Sequence, residues 1–445
     1  MKKQTNSKTN RRQFLRTAST VTAIPVFAWT QPAFANNSAN DRPTIGAIGL
    51  GGQGLNVSKG HSNFGDILAV CDVDSRHAER ARVHEKVGKL NPDMYGDYRK
   101  VLERDDIDVV SIMTVDHWHV KIAIEALEAG KHVFCEKPLT LTLEENQLIR
   151  KACEKHKDKT FAVGTWQRSQ KDTFVRAVNM VQKGLLGDIK KVTIGINAGA
   201  KGGPFPVAAV PKELDWDMWQ GQVPNVEYRE KRCHYTFRWW YEYSGGKFTD
   251  WGAHHVDIAL WALEQDKFGT GPVEFDGSDA KHPVEFKQGM PLVDDRFNTS
   301  HDFDVKCRFA NGIKMSIGSR VDNGILFEGS KGRIFVTRKK ITGQPIEENW
   351  DEGKFTDEDV HRLHNGKPNE WASANFFRCI REGGLTMSDP FSHIQTMNTC
   401  HLSAIAARLQ QTFKWNPETE EIVDNPVAAS FFARERRQSF DILKV

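Results

Sequence analysis

From Thr44 onward, short apolar runs alternate with longer stretches in which apolar positions recur every three or four residues. That rhythm is the signature of strand–helix–strand units built around a parallel sheet. Strands are predicted over 44–48, 66–71, 109–113, 132–135 and 160–163, with helices in the intervals. The clearest predicted helices run over 120–129, where Gly130 stops the chain, and over 143–155. There Thr142 stands at the N-cap with Glu145 three residues on, the pattern of a capping box.

Past Gly164, and after one more predicted helix over 173–182, period-2 alternation takes over at 191–197, 303–309, 313–319 and 333–337. Turns at Asn311-Gly312 and Lys331-Gly332 separate these runs, so a mostly antiparallel sheet is expected. A tryptophan-rich loop, 216–240, and a helix over 252–263 interrupt it. Helices over 371–381 and 392–411 are expected to return and brace the domain junction.

The first 35 residues read differently: six cations (Lys2, Lys3, Lys8, Arg11, Arg12, Arg16), no acid, a mildly apolar run over 17–34, then Ala33-Phe34-Ala35. Charge, apolar run and small-x-small site occur in the order of a cleavable targeting segment. Arg11-Arg12-Gln13-Phe14-Leu15-Arg16 resembles the twin-arginine export signal, which implies the twin-arginine export machinery as a partner and the bacterial periplasm as the destination. Removing those six of 61 basic residues, against 58 acidic ones, turns a net charge of +3 into −3. The basic balance thus belongs to the leader, and nucleic acid is not expected as a partner. No other apolar stretch reaches the roughly 18 residues that span a bilayer, so no membrane span is expected after cleavage. Seven cysteines are scattered without a CxxC or zinc-ligand spacing, which argues against a disulfide framework and a metal site.

After the first predicted strand comes Gly49-Leu50-Gly51-Gly52-Gln53-Gly54, a complete GxGxxG. Its glycines permit a tight turn, close approach of backbone to a pyrophosphate and close packing of helix on strand. Asp72 ends the second strand 21 residues beyond Gly51, where a carboxylate receives the adenosine ribose hydroxyls. A 2′-phosphate would meet that negative charge, so NAD is favoured over NADP, with Arg76 a partial offset. The expected fold is an α/β N-terminal Rossmann domain, 42–165, followed by an α+β C-terminal domain, 166–445, with a large, mostly antiparallel open sheet. The second domain is expected to serve substrate binding and oligomerisation.

Three further stretches carry chemistry: Asp116-His117-Trp118-His119, the run Ala129-Gly130-Lys131-His132 leading to Cys135-Glu136-Lys137-Pro138, and Gly245-Gly246-Lys247 leading to Asp250-Trp251-Gly252-Ala253-His254-His255-Val256-Asp257. In their order they resemble the glucose-fructose oxidoreductase, inositol dehydrogenase and rhizopine-catabolism (Gfo/Idh/MocA) family, from Thr44 to at least His255. The last stretch is similar to the family's Gly-Gly-Gly…Asp-x-Gly-x-His-x-x-Asp, and His119 also matches. The resemblance implies an NAD(P)-dependent enzyme that oxidises or reduces a carbon of a sugar, cyclitol or related polyol. It implies Lys137, Asp250 and His254 as catalytic residues and Glu136 beside the nicotinamide ribose. It also implies a homo-oligomer paired through the open sheet. One position departs: Val115-Asp116 stand where the family often has Pro-Asn, which bears on local cofactor contacts.

Oxidising a secondary alcohol needs a base for the hydroxyl proton while hydride leaves the carbon, and histidine or a desolvated lysine can supply it. On one continuous helix, positions 250, 254, 257 and 261 fall within a narrow arc, so Asp250 and His254 are expected to face a cleft together. His255, about 100° away, is a candidate substrate contact only. Trp166 and Arg168, just past the fifth strand, are candidate substrate contacts because that strand end opens toward the cleft. His119 is expected to cap or pack a helix start. Nicotinamide cofactors are made in the cytoplasm, so an exported enzyme is expected to hold its cofactor tightly. That favours hydride shuttling between two substrates or a redox-neutral glycosidase or lyase working through a transient keto-sugar.

Overall fold

The computed structural model describes residues 42–347 and 354–444, so the basic amino-terminal segment lies outside the described residues. Strands β1 (Thr44–Ile48), β2 (Asp66–Cys71), β3 (Asp93–Tyr95), β4 (Val109–Ile112), β5 (His132–Glu136) and β6 (Phe161–Gly164) form one parallel sheet in the order β3-β2-β1-β4-β5-β6. β1, β4, β5 and β6 are buried on both faces, as a sheet covered by helices must be. β3 was not legible beforehand: it has three residues, two of them exposed, at the sheet edge. The order reverses between β1 and β4, and ligands bind outside the carboxyl ends of the strands at such a reversal.

The second sheet has nine strands. From edge to edge they are Ile341–Thr342, Gly332–Val336, Gly324–Gly329, Ile189–Gly195, Lys314–Gly318, Asp304–Phe309, Pro272–Asp276, Thr412–Asn416 and Glu421–Val423. All neighbours run antiparallel except Ile189–Gly195 beside Lys314–Gly318. Alternation is plain in Asp304–Phe309, where Val305, Cys307 and Phe309 point into the core and Lys306 and Arg308 are exposed. The expected helix over 392–411 is Pro390–Leu409, capped by the Asp389 carboxylate on the amides of Phe391 and Ser392. Leu409 ends it and Thr412–Asn416 joins the sheet, because Gln410 turns left-handed at φ 53°. This helix packs on Leu143–Lys155 of the first domain and on Gly252–Ala262, so it braces the junction.

Arg168 does not open toward the cleft as expected. It is buried at this junction, its Nε and Nη2 donating to both Asp257 carboxylate oxygens at 2.9 and 2.7 Å and its Nη1 to the Met387 carbonyl. The reason is electrostatic: Asp257, with its side chain fully buried, needs a cation, and Arg168 supplies it. The seven cysteines are buried free thiols, and among the described residues no helix is long and apolar enough to cross a membrane. Arg168→Met is expected to destabilise the protein by about 3 to 5 kcal/mol, by stranding the Asp257 carboxylate, in denaturant titrations.

Candidate functional site

The glycine turn follows from local backbone demands. Gly49 sits at φ +83°, and a Cβ there would meet the Met113 carbonyl carbon at 2.6 Å. A Cβ on Gly54 would lie 1.9 Å from the Gly49 carbonyl oxygen, so the helix Gly52–His61 can approach the turn only without one. Gly51 and Gly52 face open space with nothing within 4 Å. Bare backbone and the unpaired N–H groups of a helix start thus border a cavity of about 790 Å³.

Asp72 lines the same cavity, its Oδ2 accepting from the Leu50 amide at 2.6 Å and its Oδ1 from the Asp74 amide at 2.8 Å. Those bonds hold the carboxylate at the lip of the turn. Glu136 ends β5 and packs on Gly164, where a Cβ would lie 2.8 Å from its carboxyl carbon. Burial pushes its carboxyl above the ordinary range, and Gln53 donates to its Oε1 at 3.2 Å. His119 is packed beneath this turn, with its Nδ1 2.6 Å from the Pro138 carbonyl and its Nε2 3.1 Å from the Thr114 carbonyl.

Lys137 reaches across to Asp250, its Nζ donating to the carbonyl at 2.8 Å and to Oδ1 at 3.1 Å. The expected continuous arc is interrupted here. A short helix, Lys247–Asp250, ends at Trp251 before Gly252–Ala262 begins, and the His254 amide bonds to the Trp251 carbonyl. In an unbroken helix that amide would bond to the Asp250 carbonyl, so the break frees the acceptor that Lys137 uses. Asp257, further along the second of these helices, pairs with Arg168 rather than lining the cleft.

Burial would raise the Asp250 carboxyl, but attraction from Lys137, Arg238 and Lys247 outweighs it and holds the group below the ordinary carboxylate range. His254 lines the cavity with its Nδ1 unpartnered among the described residues; burial, then the nearby Lys137 and Arg338, push its pKa well below the ordinary value, so it is neutral at pH 7. Trp166 also lines the cavity. His255 does not. It is fully buried behind the wall, its Nε2 3.1 Å from Asn323 Oδ1, because one residue of helical rotation turns it into the packed interior.

Several lining residues were not singled out in the sequence: Arg238, Lys247, Arg338 and Ser244. Lys247 had a signal, since it occupies the third glycine of the motif. Ser244 donates to the Asp116 carboxylate at 2.7 Å, and burial pushes that carboxyl up to about 7. At the other end of the cleft, Asp74, His77 and His234 bring three potential metal-ligand atoms within 4.8 Å of one another, a grouping that no sequence spacing announced. Arg76 already occupies the Asp74 carboxylate through Nε and Nη2, at 3.0 and 2.7 Å.

Residues 44–165 match a family model described as the oxidoreductase family, NAD-binding Rossmann fold, and residues 171–442 match that family's C-terminal alpha/beta domain. The chain belongs to the Gfo/Idh/MocA oxidoreductase family. Its first domain is therefore an NAD-binding domain, and the glycine cradle with Asp72 fits a dinucleotide. Relatives named glycosyl hydrolase family 109 protein, from Shewanella putrefaciens, and alpha-N-acetylgalactosaminidase, from Shewanella oneidensis, are 32% and 31% identical over 204 residues. Those alignments cover 40% of this chain and 44% of each relative, so the matched stretch is less than half the relatives' length. Among solved structures, the aldose-aldose oxidoreductase of Caulobacter crescentus is 17% identical with a TM-score of 0.57, over 84% of this chain and 99% of that one. The WlbA dehydrogenase of Bordetella pertussis, solved with NADH and UDP-GlcNAcA, is 17% identical with a TM-score of 0.58, over 85% and 99%. These two structures share the fold.

Two outcomes are expected. Gly54→Ala displaces the turn and is expected to weaken NAD binding, measured by titration of the purified variant with NAD. The pH–rate profile carries an inflection near 7 from Asp116, absent in Asp116→Asn, with the neutral carboxyl below that pH and the carboxylate above it.

Proposed function

We propose that this chain transfers hydride between NAD and a hydroxyl-bearing carbon of a sugar, cyclitol or related polyol, with NADP the poorer cofactor. The observation that carries the reading is the meeting of Lys137, Asp250 and His254 with the glycine turn and Glu136 around one cavity. NAD bound there supplies the hydride acceptor or donor. Gly49, Gly51 and Gly54 leave backbone open to the pyrophosphate, Asp72 receives the ribose hydroxyls, and Glu136 and Lys137 border the nicotinamide end. Lys137, oriented by Asp250, holds the substrate hydroxyl by a charge-assisted hydrogen bond. His254, kept neutral by burial, accepts the hydroxyl proton in oxidation and returns it in reduction. Trp166 offers an aromatic face to the C–H face of a ring.

The basic amino terminus with its Arg11-Arg12 pair supports export to the periplasm through the twin-arginine machinery. An enzyme that leaves the cytoplasm folded must carry its cofactor with it. The contacts over the adenosine end support tight retention: the Ser75 amide bonds to the Glu213 carbonyl at 2.9 Å, the Asp215 amide to the Val73 carbonyl at 2.9 Å, and His234 Nε2 lies 3.1 Å from Asp74 Oδ2. A second reading, redox-neutral cleavage of a glycosidic bond through a transient keto-sugar, is favoured by the names of the Shewanella relatives.

The chain purified without added cofactor is expected to release NAD on denaturation, identified by mass. Lys137→Met is expected to keep that nucleotide and lose turnover by about 10²-fold or more, and unchanged turnover would reject the assigned role. Cleavage of an aryl glycoside without net NADH formation would select the second reading.

A further inference from the structure

The substrate end of the cleft holds more positive charge than its own carboxylates balance. Lys137, Arg238 and Lys247 all crowd Asp250, at 3.1, 3.4 and 3.8 Å from its carboxylate oxygens. All three are largely desolvated, with side chains 17%, 22% and 13% exposed. Arg338 stands at the cleft mouth, with its guanidinium 4.5 Å from the centre of the Trp251 ring and no carboxylate within ion-pair distance among the described residues. Lys247 flanks the same ring, 5.9 Å from its centre, and the Trp239 ring at 5.4 Å.

The remaining acids do not restore the balance. Burial pushes the Asp116 carboxyl up to about 7 and raises that of Glu136, which weakens both as counter-charges. Three largely buried cations thus share the Asp250 carboxylate, where like-charge repulsion is weakly screened, and Arg338 adds a fourth at the exposed edge with no carboxylate partner among the described residues. Such an arrangement is relieved by an incoming anion, and guanidinium and ammonium groups beside aromatic faces suit a sugar ring that bears one.

We propose that the substrate is an acidic sugar, with a carboxylate or phosphate seated between Arg338, Lys247 and Arg238. This rests on the polyol reading of the same site and narrows its substrate class. The hydroxyl to be oxidised remains at Lys137 and His254, so the anionic group engages cations that the hydride step does not use.

The test uses the purified chain with its bound nucleotide and matched sets of ligands: glucose and galactose, their uronates, and their 6-phosphates. Binding is read by tryptophan fluorescence and hydride transfer by the near-ultraviolet band of reduced nicotinamide. At least one acidic sugar is expected to bind about ten- to a hundredfold tighter than its neutral parent, by an advantage that shrinks as salt rises. Uronate against 6-phosphate shows which anion the cations prefer. Arg338→Met is expected to remove most of the advantage and Arg338→Lys to restore part of it. Because this side chain is exposed, folding is not at issue. Equal or tighter binding by the neutral parents, no binding by any acidic sugar, or an advantage untouched in Arg338→Met overturns the proposal. Hydride transfer from a neutral sugar alone would keep the polyol reading and discard the anionic one. Tight acidic-sugar binding without hydride transfer would do the reverse.

Discussion

An ammonium group held by a freed backbone carbonyl organises the cleft. Lys137 comes from the end of β5, and the carbonyl it reaches belongs to Asp250, in a different domain and over a hundred residues away in the chain. The carbonyl is available only because the helix stops at Trp251 and restarts at Gly252. That interruption sets where the ammonium points, which carboxylate steadies it, and how His254 is presented to the cavity. A continuous helix would have satisfied the carbonyl internally and left Lys137 with the carboxylate alone.

Burial then decides the charge state of the groups around that contact. Desolvation keeps His254 neutral and Asp116 near the midpoint of its titration at pH 7, while the neighbouring cations hold the Asp250 carboxyl below its ordinary range. The cleft thus holds a neutral imidazole, an ammonium steadied by Asp250 and a cluster of cations around one carboxylate. The same burial elsewhere is structural: His61, His117 and His401 are pushed down to about 3, and each is locked into packing. Arg168 and Asp257 stabilise the junction in the same sense, as a desolvated pair that touches nothing in the cavity.

Much of this was legible in the chain. The parallel sheet showed in its alternating apolar runs, because strands covered on both faces leave few polar positions. The cradle showed as GxGxxG, since only glycine tolerates the backbone at Gly49 and the contact at Gly54. Less visible were the exposed edge strand Asp93–Tyr95 and the strands Pro272–Asp276, Gly324–Gly329 and Thr412–Asn416, which are short or bounded by turn-forming residues. Arg168 and His255 looked like cleft residues by proximity in sequence, yet both turn inward.

The sequence by itself determined the order of elements, the two-domain plan, the family and the nucleotide cradle, because periodicity and glycine are local demands written residue by residue. The tertiary structure alone decided which cations share Asp250, that Arg168 serves Asp257, and that Arg338 meets Trp251. Those pairings join stretches with no fixed spacing, and charge and burial at a point in space are sums over neighbours that the linear chain does not list.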